Sequence, residues 1–166
     1  MLFKKLAFCS LLLLFTACGW QPVYYRSDSD LPVETAFVEV LPVPEENGRL
    51  LVQQLKDLLN PQNVEREKKY TLSVSLDERL DTEQGILGDN TATRATMRMT
   101  AHFRLMEKDK ALLSDSAFST SSYNILMLPY PTVTAESTTR KRLIDMLADK
   151  IALRLAVYFK TMEQPK

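Results

Sequence analysis

The chain has 166 residues, with 21 basic and 21 acidic side chains and a formal net charge of zero. That length fits one domain with a real core, and the balanced charge gives no support to nucleic-acid binding, which usually shows a concentrated basic surface. Its two cysteines, Cys9 and Cys18, both lie near the N-terminus, so the rest of the chain has no pair for a disulfide and must be stabilised by packing.

The first element in chain order is a processing signal. Lys4 and Lys5 precede an apolar run from Leu6 to Phe15, about half of what a membrane-spanning helix needs. A basic start and a short apolar run mark a signal peptide. The run closes in Phe15-Thr16-Ala17-Cys18, which resembles the bacterial lipobox, with Phe15 where leucine is usual. The alternative is an ordinary secretory signal. Residues 1–17 are therefore predicted to be a lipoprotein signal peptide, with Cys18 as the lipidated N-terminus. Cleavage there leaves 149 residues (166 minus 17) and 19 basic against 21 acidic side chains, a formal charge of −2. Gly19, in place of aspartate, implies sorting to the outer membrane.

Residues 18–35 hold Pro22, Pro32, Tyr24-Tyr25 and a polar stretch from Arg26 to Asp30 without helical period, and read as a tether. A single domain is expected over 36–160, with a tail at 161–166. Ala36 to Leu41 reads as a short strand closed by Pro42 and Pro44, because proline withdraws a ladder donor. Leu51, Leu55, Leu58 and Leu59 fall on one face of a helix over Arg49 to Leu59, which Asn60-Pro61 stops.

From Tyr70 the period becomes two: Tyr70, Leu72, Val74 and Leu76 share a face. A polar connection is expected through Asp81, Gly85 and Gly88. A longer alternating strand follows, with Ala95, Met97, Met99, Ala101, Phe103 and Leu105 opposite Arg94, Thr96, Arg98, Thr100, His102 and Arg104. Glu107 to Lys110 is a charged turn, returning the chain into a Ser- and Thr-rich strand over 112–123 whose inward face the pattern leaves open. Pro129 and Pro131 bracket a loop. Thr134 or Ser137 then caps a helix of some six turns, ending near Phe159, with Ile144, Leu147, Ala148, Ile151, Leu155, Tyr158 and Phe159 as its stripe. The order β-α-β-β-β-α predicts an α+β fold, two helices packed on one face of a four-stranded sheet.

Catalytic and metal-binding patterns are missing. His102 is the only histidine, with no second ligand-type residue at a metal-like spacing. The serines from Ser114 to Ser122 have no GxSxG elbow and no Asp/His pair placed to activate one, so no catalytic residue, metal or cofactor is assigned beyond covalent lipid on Cys18. Met97, Met99 and Met106 read as core packing. Arg94, Arg98 and Arg104, with His102, line the wet face of the long strand and are candidate phosphate contacts; the plainer reading is that they solvate an exposed face and discourage edge pairing. Arg140 and Lys141, with Arg142, fall in the first turns of the predicted last helix, where cations oppose the helix dipole; they are the second candidate group, with a solvated face as the plainer reading.

Cys18-Gly19-Trp20-Gln21-Pro22-Val23-Tyr24 resembles the start of the LPS-assembly lipoprotein family, LptE. Asp89 to Arg94, Ser122-Tyr123-Asn124, Leu147 to Ile151 and Arg154-Leu155-Ala156 agree with it in the same order. The resemblance implies an outer-membrane lipoprotein on the periplasmic side, acting as plug and assembly factor for the β-barrel partner LptD and contacting lipopolysaccharide. No lipid-contacting residue of the family is carried over, since no motif aligns one onto this chain. The competing expectation is a free-standing periplasmic lipid- or peptide-binding lipoprotein without a barrel partner; a small hydrolase is a distant third.

Overall fold

The computed structural model describes residues 31–84, 92–125 and 129–163. Cys18, Gly19 and the predicted connection through Gly85 and Gly88 lie outside them. The elements are β1 (Val38–Val40), α1 (Glu46–Leu59), β2 (Tyr70–Gln84), β3 (Ala92–Glu107), β4 (Lys110–Asn124) and α2 (Pro129–Glu163). This is the predicted α+β order. The sheet runs β1-β2-β3-β4, with β1 parallel to β2 and the other pairs antiparallel.

The first strand is shorter than its composition suggests. Val33–Phe37 form a 3-10 turn, in which the Thr35 hydroxyl donates to the carbonyls of Pro32 at 2.8 Å and Leu59 at 3.2 Å. A side chain bonded to local backbone competes with a strand ladder, so Ala36 and Phe37 leave the predicted strand. Helix α1 starts three residues before the predicted Arg49 and buries Leu51, Val52, Leu55 and Leu59. Its Gly48 lies against Val43 of the β1–α1 connection: an added Cβ would sit 2.5 Å from the Val43 Cγ1, so a side chain there would push the helix away from that connection.

Strand β2 passes through Asp81, where a connection was expected, and pairs with β3 from Thr71↔Met106 to Gln84↔Ala92. The period-two pattern fades because the inward position after Leu76 is Glu78, not because pairing stops. Strand β3 follows its prediction, with all six apolar residues from Ala95 to Leu105 buried. The hairpin to β4 turns on Lys108 and Asp109, with Lys108 at φ 51. In β4 the inward residues are odd-numbered: Ala117 and Ser119 are buried, and Leu113 and Tyr123 are partly so. Leu105 faces Leu113 while Met106 faces Ala111, so Leu112 is an extra residue in a bulge. Small inward side chains and a shifted register hide this face from an alternation test.

The last helix differs most from expectation. It starts at Pro129 and spans 35 residues, about ten turns. Prolines fit the first turn of a helix, whose N–H groups have no partner there, so Pro129 and Pro131 begin the helix in place of a loop. Thr134 is inside it, its hydroxyl donating back to the Tyr130 carbonyl at 3.1 Å, and is not a cap. Leu143, Ile144, Leu147, Ala148, Ile151, Leu155 and Phe159 are buried in one cluster with Met97, Met99, Phe103 and the α1 leucines. Phe159 also meets the Tyr70 ring at 5.1 Å between centroids. Both helices thus cover one face of the sheet, and among the described residues no element covers the other.

Candidate functional site

Cross-strand register builds the open face from odd residues of β2 and even residues of β3 and β4. Successive rows across the three strands are Ser73–Arg104–Ser114, Ser75–His102–Ser116, Asp77–Thr100–Phe118, Arg79–Arg98–Thr120 and Asp81–Thr96–Ser122. Hydroxyls flank the cations almost throughout. Thr96 and Ser122 share a hydrogen bond of 2.9 Å, and His102 Nε2 lies 3.5 Å from Asp77 Oδ2.

The central row sets Arg79 directly opposite Arg98. Like charges facing one another across strands are destabilising. Arg79 is partly compensated by Asp81, at 3.4 Å. Arg98 lies over the Phe118 ring, 4.8 Å from its centroid, and its Nε donates to the Thr120 hydroxyl at 3.4 Å. No carboxylate among the described residues pairs with it. Lys150, reaching over from α2, stands 5.6 Å from the same ring. Phe118 is 56% exposed, so an aromatic face ringed by cations is open to solvent. Such a surface can take phosphate or carboxylate oxygens on its guanidinium groups and sugar hydroxyls on its serines and threonines.

The predicted cations do not converge on one point. Arg94, Arg98 and Arg104 are all exposed on this face, but Arg98 and Arg104 are six residues apart, about 20 Å along a strand. Arg140 is on the opposite side of the sheet. It donates through Nε and Nη2 to Glu78 Oε1 at 3.1 and 2.9 Å, and through Nη2 to Glu136 at 2.7 Å. Asn47 of α1 donates to the same Glu78 at 2.9 Å. The two carboxylates, Glu78 first, hold the guanidinium firmly protonated, and burial followed by the charge of Glu136 pushes the nearby Tyr123 hydroxyl up. Arg140 therefore ties α2 to β2. With the helix beginning at Pro129, Arg140 to Arg142 lie three turns inside it and not in its first turns, so the expected opposition to the helix dipole does not arise. Lys141 is exposed on α2.

Sequence reasoning did not single out Arg79, Phe118 or Lys150. Only strand register places Arg79 beside Arg98, and the expected polar connection runs through Asp81, two residues beyond it. Among the described residues no group of three or more His, Cys, Asp or Glu is placed to hold a metal ion. The depressions at Tyr130–Thr139 and over Ser73–Ser116 are open to solvent. Among the described residues no helix is long and apolar enough to cross a membrane.

The fold and this face define a small α+β domain that presents a broad polar surface in place of an enclosed pocket. The chain belongs to the LptE (lipopolysaccharide-assembly) family, whose pattern it matches over residues 37–155. It is similar in structure to a protein assigned as a lipoprotein in Caulobacter crescentus CB15, at 25% identity and a TM-score of 0.63, covering 81% of this chain and 98% of that one. A minor lipoprotein of Acinetobacter baumannii has the same fold at 22% identity, 72% and 88% coverage and a TM-score of 0.58. So does the rare lipoprotein B of Shewanella oneidensis, at 12% identity, 76% and 97% coverage and a TM-score of 0.59. Sequence comparison with curated proteins gives no match.

Proposed function

We propose that this protein is the lipoprotein component of an outer-membrane lipopolysaccharide translocon, non-enzymatic, and the plug and assembly factor of its β-barrel partner LptD. Membership of the lipopolysaccharide-assembly family over residues 37–155 is the observation that carries this reading. The anchor is lipid on Cys18, on the periplasmic side of the outer membrane, checked by the mass of the mature N-terminal peptide. The open sheet face suits both parts of the role. A barrel lumen is wet and polar, and the Thr, Ser, Arg and His side chains of β2 to β4 can stay hydrated inside one. The Arg79–Arg98 row, with Arg94 and Arg104 further along β3, offers guanidinium groups to lipid phosphates. Lys141 is carried by α2 and not by the strands of that row, and Arg140 is already held by Glu78 and Glu136.

A free-standing lipid or peptide binder would be expected to present a concave apolar pocket, which the open depressions described above do not supply. Depletion of this protein in its own cell should lower assembled barrel and surface lipopolysaccharide together. Normal levels of both after depletion would put the free-standing binder ahead.

A further inference from the structure

Strand β4 is an edge of the sheet and is 15 residues long. A long edge with unpaired N–H and C=O groups is a template for another strand, and proteins blunt such edges with charges, prolines or bulges of the edge strand itself. From Ser116 to Asn124 this strand carries no charged residue and no proline. Its bulge lies near the hairpin, at Leu112. By its own composition, the middle and far part of β4 carries none of these protections.

The charges come from elsewhere. Lys150 Nζ donates to the Phe118 carbonyl and, at 3.1 Å, to the Ser119 hydroxyl. Arg154 Nη1 donates to the Ser116 carbonyl and to Asp115 Oδ2. The Ser116 N–H in turn donates to Asp115 Oδ1 at 2.7 Å. In an antiparallel strand the N–H and C=O of one residue point the same way, so these bonds identify the even-numbered residues as those facing outward. The spacing matches. Residues 150 and 154 are about 6.0 Å apart along a helix, and residues 116 and 118 about 6.6 Å apart along a strand. One helical turn therefore carries one cation to each of two successive outward carbonyls.

We propose that Lys150, Arg154 and Asp115 guard the β4 edge, occupying its outward backbone groups so that a second copy of this chain cannot pair with it. The pairing prevented is β4 against β4, antiparallel about a two-fold axis, in which each copy supplies the same edge. Thr120 and Ser122 continue the outward row and have no such backbone partner among the described residues. They would extend the pairing once the guard is removed.

The test uses the full chain purified in mild detergent without any barrel partner. A Lys150→Met, Arg154→Met double variant keeps the apolar stems and loses the donors. It should self-associate at least tenfold more tightly than the unaltered chain by analytical ultracentrifugation, with Thr120 and Ser122 amide exchange slowing as concentration rises. Adding Thr120→Pro should return it to the unaltered chain's behaviour, because that N–H faces outward and its loss spares the ladder to β3. A double variant with an unchanged circular dichroism spectrum that associates no more than the unaltered chain would overturn the proposal. So would association that survives Thr120→Pro. If the double variant loses its helical signal, Lys150→Met alone carries the test, and equal association with the unaltered chain again overturns it.

Discussion

An Ile151→Ala substitution is expected to lower the stability of the fold by about 2–5 kcal/mol, the range for removing a large aliphatic side chain from a packed core. Ile151 is fully buried, as are Leu147 and Leu155 on the same helix face and Met97 and Met99 on β3. The cavity would open between α2 and the sheet, where no disulfide is available to limit the damage. Total stability of a domain this size is about 5–15 kcal/mol, so a large share would go. Urea unfolding followed by circular dichroism measures it. Val157 of the same helix is 50% exposed, and Val157→Ala should stay within about 0.5 kcal/mol. A loss under about 1 kcal/mol at Ile151 would mean that α2 does not pack on β3 as described.

The second large effect concerns the proposed ligand face. Changing Arg79 and Arg98 to glutamate together should weaken lipopolysaccharide binding at least tenfold, since hydrogen bonds to charged groups contribute about 1.5–3 kcal/mol each and the reversed charge adds repulsion. Stability should fall by only about 1 kcal/mol, because one like-charged cross-strand pair replaces another while the exposed Arg79–Asp81 pair and the Arg98–Phe118 contact are lost. Arg140→Ala gives the opposite pattern. It leaves Glu78 and Glu136 without their shared cation, with side chains only 27% and 33% exposed, and should cost about 1–3 kcal/mol while binding stays within twofold. Binding to purified lipopolysaccharide, measured beside thermal unfolding, separates the two. If Arg140→Ala lost binding at full stability and the double reversal did not, the ligand face would have been put on the wrong side of the sheet.

Much of this was readable from residue order where one physical signal dominated. Strand β3 alternates apolar and polar for its whole length because one face is packed and the other wet, so burial and sequence carry the same information. The α2 stripe from Ile144 to Phe159 was legible for the same reason. The parts that escaped are places where a local signal and a distant contact disagree. Glu78 breaks the alternation of β2, and Arg140, 62 residues further on, makes it acceptable there together with Asn47 of α1. Pro129 and Pro131 read as loop residues, yet suit a helix start. The inward side of β4 is Ala117 and Ser119, too small and too polar to declare itself, with a bulge at Leu112 that reverses the parity of the pattern. The candidate site followed the same rule. Arg94, Arg98 and Arg104 stand out as a row because they share one strand, whereas Arg79 joins Arg98 only through register, and Lys150 joins Phe118 only through the packing of α2.

In the proposed role this chain works as half of a two-protein assembly with an outer-membrane β-barrel. Affinity purification of the full chain from its own membranes in mild detergent, followed by intact-mass analysis of the eluted complex, tests it most directly. The expected result is one copy of this chain with one copy of a β-barrel protein, stable through size exclusion. Recovery of the chain without any barrel, under conditions where the barrel remains folded in the extract, would contradict it.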